Sequence, residues 1–190
     1  MKTRGRSKTA RVETASSSET PEGRLQELEL KELLGYQVAQ ATIVTLGVFE
    51  EVVGRPCNLR TVEYTVLALI RANGAVAPAQ LAKALSLSPS YITMALDKLE
   101  SMGLIKRETN ETDRRGQRLH LTAKGAALAL KTTQDLIRAE REAFVTLSPI
   151  EQLMLGELLH KLAQSRIQLA QSRIQVGRRT TAPAAKAGKA

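Results

Sequence analysis

The sequence contains few of the residues on which several classes of protein depend. It has one cysteine in 190 residues, no tryptophan and only 3% aromatic residues. One cysteine excludes an internal disulfide framework and is compatible with a reducing cytoplasm, where we expect the protein to act. No apolar run approaches the roughly 20 residues of a membrane span. The basic N-terminus lacks the apolar segment of a secretory signal, so we expect neither membrane association nor export.

The motifs of common enzymes and metal sites are also missing. No GxSxG, HExxH, P-loop or GxGxxG pattern occurs, so we predict that the protein is not an enzyme and needs no cofactor. His120 and His160 are too few and too separated for a zinc site, and no metal is expected. Cys57 follows Arg55 closely, which leaves open a cysteine-based redox sensor, although an unreactive cysteine is the simpler interpretation.

The formal net charge of +9 is concentrated in two tails. Residues 1–12 and 173–190 contain basic residues and no acid. Because both ends also lack apolar periodicity, we predict disordered basic tails at 1–20 and 178–190. The overall charge therefore says little about DNA binding, and the local excess of basic residues within 98–124 is the more informative feature.

A short helix with one polar face is predicted after Ser88. The Ser88 hydroxyl can cap it, Pro89 suits its first position, and Gly103 suits a left-handed cap at its end. Apolar residues at helical spacing bury one face. Ser and Thr can bond any base, and carbon atoms of Thr, Tyr or Met can touch a thymine methyl, although Tyr91 and Met94 could instead pack inward. The candidate DNA-contacting residues of this helix are Ser88, Ser90, Tyr91, Thr93, Met94 and Lys98.

A β-hairpin with a charged tip follows the helix. Leu104 and Ile105 begin one strand, and Leu119 and Leu121 alternate in the returning strand. The polar, arginine-rich tip between them cannot bury itself. A helix followed by a basic hairpin is the layout of a winged helix-turn-helix, in which the helix enters the major groove and the hairpin reaches beside it. The candidate DNA contacts of this wing are Asp113, Arg114, Arg115, Arg118, Lys106 and Arg107.

The segment before the helix completes the helix-turn-helix. Pro78 opens a short helix that ends at Ser86, and a brief turn joins it to the helix that follows Ser88. Another helix is predicted from Thr61 to Ala72, and Val76 is expected to form a short strand that pairs with the wing. Residues 59–122 are therefore assigned to the DNA-binding region.

A long helix is predicted on the N-terminal side. Thr20–Pro21 is a helix start signal, and an apolar stripe continues to Val53, after which Gly54, Pro56 and Asn58 are expected to break the helix. At about 1.5 Å per residue this helix would be roughly 50 Å long. A partner subunit is the simplest cover for so much apolar surface, so residues 21–58 are assigned to dimerisation.

Two further helices are predicted on the C-terminal side, one at 123–146, which Thr122 can cap, and one from Ser148–Pro149 to 176. The second ends in a seven-residue repeat, QSRIQLA then QSRIQVG, at 164–177. This repeat is either a tandem duplication that lengthened a surface helix or extra intersubunit coiled coil. Residues 123–177 are assigned to C-terminal dimerisation helices. The predicted fold is mostly α, with one small hairpin.

From about residue 25 to 175 the chain resembles the MarR-type regulators. The family's wing pattern, Asp-x-Arg, five residues and Leu-Thr, occurs here as Asp113, Arg115, Leu121 and Thr122. The segments LDKLESMGLIKR, LRTVEYTVLALI and PAQLAKALSLS fit the same family in the same order. One departure is Met94, which stands where many members carry a basic residue, so a sequence preference is not carried over.

The resemblance implies a sequence-specific regulator, a repressor, that binds a palindromic operator on double-stranded DNA as a homodimer. It also implies that Asp113 orients Arg115 in the minor groove. In this family small aromatic or phenolic ligands bind between the dimer helices and the DNA-binding lobe and release the DNA. The residues that could line such a ligand site are Leu34, Tyr36, Val38, Arg60, Leu67 and Ile70.

Two alternatives remain open from the sequence. An architectural protein would bind DNA through its basic tails without choosing a sequence, and a footprint confined to one palindrome would argue against it. A winged-helix module could instead bind protein, which the Asp113 and Arg115 pattern argues against.

Overall fold

The computed structural model describes residues 19–109 and 117–166. The described chain is mostly helical and contains one antiparallel hairpin, which confirms the predicted fold class. In chain order, it contains a 3-10 turn at Leu28–Glu32, helix α1 at Leu34–Phe49, a π-helical turn at Glu50–Gly54, α2 at Arg55–Cys57, α3 at Thr61–Asn73, α4 at Pro78–Leu85, α5 at Pro89–Ser101, strands β1 at Ile105–Thr109 and β2 at Gln117–Leu121, α6 at Ala123–Ala143 and α7 at Pro149–Gln164.

The first long helix begins later than predicted. Thr20 does act as a cap, but of a turn: its hydroxyl donates to the carbonyl of Glu22 at 2.6 Å, and Glu19 pairs with Gln26 as an isolated antiparallel bridge. Gly23 and Arg24 adopt positive φ values of 77° and 49°, which a right-handed helix does not contain. The start signal at Thr20–Pro21 was therefore read wrongly, and the helix starts at Leu34.

The same helix continues past Gly54 and Pro56 and ends at the third residue that was expected to break it, Asn58. A π-helical turn at Glu50–Gly54 leads into α2, and Pro56 lies inside that last turn. Proline lacks the N–H that an α-helix uses, and a wider turn before it is one way in which a helix accommodates the ring. The helix ends at Asn58, which adopts the left-handed conformation with φ 52°, a usual way to end a helix.

The DNA-binding region forms one packed unit. The helices α3, α4 and α5 and the two strands contribute its fully buried aliphatic side chains, as the near absence of aromatic residues predicts. Val76 pairs with Leu119, with its N–H 3.2 Å from the Leu119 carbonyl and its carbonyl 2.9 Å from the Leu119 N–H, which confirms the predicted short strand. The largest of these buried residues are Val66, Leu67, Ile70, Leu81, Ile92, Leu96, Leu99, Leu104 and Leu119.

The start of α6 is fixed by hydrogen bonds from Thr122. Its Oγ1 accepts the N–H of Gly125 at 3.0 Å and donates to the Gly103 carbonyl at 2.7 Å, so it caps α6 and joins it to the end of α5. Gly125 is required there because a Cβ at this position would overlap the carbonyl of Leu104. The capping role of Thr122 was predicted, whereas the need for glycine at 125 was not.

The chain divides into two compact units, with the division between Thr132 and Thr133 inside α6. In the second unit, α7 begins with a reciprocal cap in which the N–H and hydroxyl of Ser148 donate to the Glu151 carboxylate at 2.8 and 2.7 Å. The predicted basic tails, apart from Glu19 and Thr20, lie outside the described residues, as do the wing tip and all but the first three residues of the repeat at 164–177.

Candidate nucleic-acid interface

The helix α5 is held by local signals at both ends. Ser88 Oγ accepts the N–H of Tyr91 at 3.3 Å, and Pro89 occupies the first helical position. At the other end the N–H of Gly103 donates to Glu100 at 2.8 Å and that of Leu104 donates to Leu99 at 3.0 Å. This pair of bonds is a Schellman motif, and Gly103 takes the positive φ of 68° that it requires.

One face of α5 is buried and the opposite face is open to solvent. Ile92, Ala95, Leu96 and Leu99 are buried and fix the rotation of the helix. On the open face, 40% of Tyr91 and 67% of Met94 are exposed. The alternative prediction that these two side chains pack into the core is therefore wrong. The other predicted DNA contacts that are exposed here are Ser88, Ser90 and Thr93.

Lys98 does not belong to this open face. Its Nζ donates to Glu63 Oε2 at 2.7 Å, and the side chain of Glu63 is only 6% exposed. Glu63 also accepts the backbone N–H of Arg60 at 2.7 Å and thereby caps α3. The ammonium that the sequence assigned to DNA is thus engaged with a buried carboxylate inside the protein.

The two strands of the wing are paired in register from Ile105 with Leu121 to Thr109 with Gln117. Lys106 and Arg118 are exposed on this hairpin, as phosphate contacts must be. Lys106 is in an ion pair with Glu108, and His120 Nε2 lies 3.2 Å from the same carboxylate. The hydrogen bond from Lys106 and the nearby His120 lower the pKa of Glu108.

Arg107 points the opposite way from Lys106. Its guanidinium donates a hydrogen bond to Asp97, and its buried Nε lies 3.0 Å from the Glu100 carboxylate, close enough for an ion pair but without hydrogen-bond geometry. Both carboxylates belong to α5. Arg107 was predicted to contact phosphate, and the structure instead places it between the first wing strand and the helix.

The wing tip with Asp113, Arg114 and Arg115 lies outside the described residues. The strands that carry it are described up to Thr109 and from Gln117, which face each other at the open end of the hairpin. The roles of the three tip residues stay predictions.

Comparisons with known proteins agree with this geometry. Residues 59–116 match the model of the MarR family. PecS, an HTH-type transcriptional regulator from Dickeya dadantii, is 33% identical over 103 residues, which are 53% of this chain and 62% of PecS. The transcriptional repressor CouR bound to a 23-mer DNA duplex matches with a TM-score of 0.67 at 29% identity, over 73% of this chain and 98% of CouR. A mutant MarR from E. coli complexed with operator DNA matches with a TM-score of 0.62 at 28% identity, over 71% of this chain and 97% of that one.

The chain resembles the MarR family in sequence, over residues 59–116, and in fold. The alignment spans less than two thirds of PecS, whereas the two structures are covered almost completely. These MarR-type relatives are transcriptional regulators, in agreement with the prediction that the chain is not an enzyme. Within the described residues, no helix is long and apolar enough to cross a membrane, and no three potential metal ligands come together.

The ligand site expected from the MarR resemblance is not assembled as predicted. Leu34 is 74% exposed on α1, whereas Leu67 and Ile70 are buried completely in the helical core. The Tyr36 hydroxyl donates to Glu27 at 3.0 Å. Of the six predicted residues, Arg60 alone lines a hollow of about 240 Å³ between α3 and α5. Its other lining residues include Val62, Glu63, Tyr91 and Met94.

Sequence reasoning missed the acidic partners of the basic residues. Glu63, Asp97 and Glu100 each neutralise a cation that was assigned to DNA. The position of Glu63, three residues after Arg60 at a helix start, is the capping pattern and was available as a signal. Nothing in the local sequence indicates that its carboxylate is buried.

Proposed function

We propose that this protein is a transcriptional regulator of the MarR family that binds double-stranded DNA sequence-specifically through α5 and the β1–β2 wing. The observation that carries the proposal is the open polar face of α5, which is capped, rotationally fixed and adjacent to a basic hairpin. A helix of this kind fits the major groove, whose base edges distinguish all four base pairs. Two proteins of similar structure are described as bound to a DNA duplex and to operator DNA.

Selection from a pool of random duplexes tests this function. The purified protein should enrich one inverted repeat with half-site centres about 10 base pairs apart, at salt near 150 mM. A selected operator should bind at least about a thousandfold more tightly than random duplex. Enrichment of no sequence would refute sequence-specific binding, and strong binding without preference would favour the architectural alternative.

We also propose that the protein acts as a homodimer, because two of its helices expose apolar faces. In the first unit, α1 exposes 74% of Leu34, 66% of Ile43 and 44% of Leu46. In the second unit, α7 exposes seven large apolar residues along its length. Faces of this extent are uncommon on monomers. The exposed residues of α7 are Ile150, Leu153, Met154, Leu155, Leu158, Leu159 and Leu162.

Sedimentation at micromolar concentration tests the dimer. The parent should sediment as a dimer, and Leu158→Glu should shift it toward monomer because a charge would be buried in the interface. His160→Glu, a charged substitution at an exposed position on the opposite side of the same helix, is the matched control and should remain dimeric. A parent that stays monomeric would refute the dimer and, with it, the palindromic operator.

Repression relieved by a small aromatic acid is the regulatory part of the proposal. It is supported by the family resemblance and by the hollow between α3 and α5, where Arg60 supplies a cation beside Tyr91 and Met94. A carboxylate or phenolate bound there would occupy the approach to the DNA-reading face. A ligand releases DNA only to the extent that it prefers the unbound protein.

A screen of phenolic acids against operator affinity tests the regulation. An active compound should lose its effect in Arg60→Ala, while Arg71→Ala, an exposed arginine at the end of the same helix, should respond as the parent does. Failure of every compound to change operator affinity or melting temperature would refute ligand control and leave DNA binding untouched.

A further inference from the structure

Arg107 occupies a different environment from its neighbours on the wing. Its side chain is 24% exposed, whereas that of Lys106 is 56% exposed. Alternate residues of a strand point to opposite faces, so Lys106 and Arg107 face opposite sides of the hairpin. Arg107 faces α5 and lies between Asp97 and Glu100, which are three residues apart and therefore adjacent on the helix surface.

The two carboxylates leave Arg107 poorly suited to bind phosphate. One guanidinium is paired with two acids, so the local charge is negative before any DNA arrives. A phosphate that approached Arg107 would also approach Asp97, which is 59% exposed, and be repelled by it. A planar guanidinium with several fixed N–H donors is well suited to hold two acids at once.

We propose that Arg107 is a positioning residue that locks the wing to the recognition helix, and that it does not contact DNA. This inference rests on the proposed DNA-binding function. The hairpin is anchored by the buried Ile105 and, from the second strand, by the fully buried Leu119, which is the cross-strand partner of Arg107 and pairs with Val76. At that level the ion pairs of Arg107 hold the first strand directly to α5.

The ion pairs of Arg107 lie between the recognition helix and the wing, so they affect the orientation of the wing relative to α5. In the proposed complex, α5 contacts bases in the major groove and Arg115 at the wing tip contacts the minor groove. The helix and the tip must therefore reach their two grooves at the same time. Without the ion pairs, the first strand would be held at this level only through its pairing with the second strand, and a wing that tilted there would lose affinity through its wider range of positions. Arg107 therefore contributes to operator affinity through the wing, by holding the tip at the angle that matches the bound α5.

A double-mutant cycle with the wing tip tests this mechanism. Arg107→Ala should weaken operator binding about tenfold, as expected for coupling between neighbouring groups in one network. In an Arg115→Ala background the same substitution should have less than about a twofold effect, because no tip contact remains to be positioned. Effects that multiply independently would overturn the inference, since a separate phosphate contact behaves in that way.

The salt dependence of binding supplies the matched control. Lys106→Ala should reduce the slope of log affinity against log salt by roughly one, because a phosphate contact is lost. Arg107→Ala should leave that slope unchanged. A reduction equal to that of Lys106→Ala would show that Arg107 contacts phosphate and would overturn the inference.

Removal of the acids gives a second test that does not alter Arg107. The Asp97→Asn and Glu100→Gln double variant should lower the ratio of operator to random-duplex affinity, because the wing is released. If Arg107 were a phosphate contact, removal of both acids would strengthen binding to every duplex and leave that ratio unchanged or raised, which would overturn the inference. Unchanged melting temperatures should accompany Arg107→Ala, Lys106→Ala and the Asp97→Asn/Glu100→Gln variant.

The outcomes separate this inference from the proposed function. If the parent protein shows no preference for any DNA sequence, the proposed function itself fails. If the parent binds its operator and Arg115→Ala weakens that binding, while Arg107→Ala lowers the salt slope, only the role of Arg107 is wrong.

Discussion

Replacement of Lys98 should mainly lower the free energy of unfolding, and it should have little effect on the contacts between the protein and DNA phosphates. Lys98→Ala removes the ammonium that lies 2.7 Å from Glu63, whose side chain is 6% exposed. Removal of one partner of a buried ion pair costs about 3–5 kcal/mol because the other charge stays buried. Lys98 is 31% exposed and Glu63 keeps the N–H of Arg60, so we expect a smaller loss, about 2–3 kcal/mol.

Urea denaturation followed by circular dichroism at fixed protein concentration measures this loss. In thermal unfolding, the same loss lowers the midpoint by about 4–12 °C for a chain of this size. Replacement of both partners, as Glu63→Leu with Lys98→Met, should recover much of the stability because no unpaired charge remains. An unfolding free energy for Lys98→Ala within about 0.5 kcal/mol of the parent would refute the reasoning. A drop of about one in the salt slope of DNA binding would restore Lys98 as a phosphate contact.

Two other substitutions test the way α6 and α7 begin. Gly125→Ala should destabilise the protein by about 1–3 kcal/mol, because the methyl group would overlap the Leu104 carbonyl, whereas Gly35→Ala meets no atom and should be neutral or stabilising in urea denaturation. The Glu151 carboxylate accepts hydrogen bonds from Ser148, which lower its pKa, so its contribution to stability is present above its ordinary pKa and is lost as the pH falls through the lowered value. Ser148→Ala should reduce that loss of stability with acid, and an acid titration identical to the parent's would contradict the assignment.

The recognition helix was predictable because its boundaries depend on local signals. Ser88 and Pro89 act within the first turn and Gly103 acts within the last, so the sequence pattern and the hydrogen bonds coincide. The pairing of Val76 with the wing was also predictable, since an apolar residue between two helices has few other places to pack.

The start of α1 was not predictable from the same kind of signal. A threonine followed by proline begins helices and also begins turns. Here a turn forms because Gly23 and Arg24 adopt positive φ values, which reverse the direction of the chain. The presence of Gly23 directly after Thr20–Pro21–Glu22 was the feature of the sequence that indicated a turn instead of a helix.

The ionic contacts of the interface could not be read from the sequence at all. Lys98 and Glu63 are 35 residues apart, and Arg107 and Asp97 are 10 apart in different elements. The sequence shows that a residue is basic, but it does not show whether its charge is solvated or paired with an acid. Only the packed arrangement of α3, α5 and the first strand separates the cations that can bind phosphate from those that hold the protein together.

The base preference of a Met94 variant tests the central claim most directly, namely that the open face of α5 reads the DNA sequence. Met94 is 67% exposed on that face. We predict that Met94→Ala relaxes the preference at one symmetric pair of positions in the selected operator, by roughly 1–3 kcal/mol, while Lys106→Ala leaves every preference unchanged. An identical base preference for the parent and the Met94 variant, with equal affinity, would contradict the account.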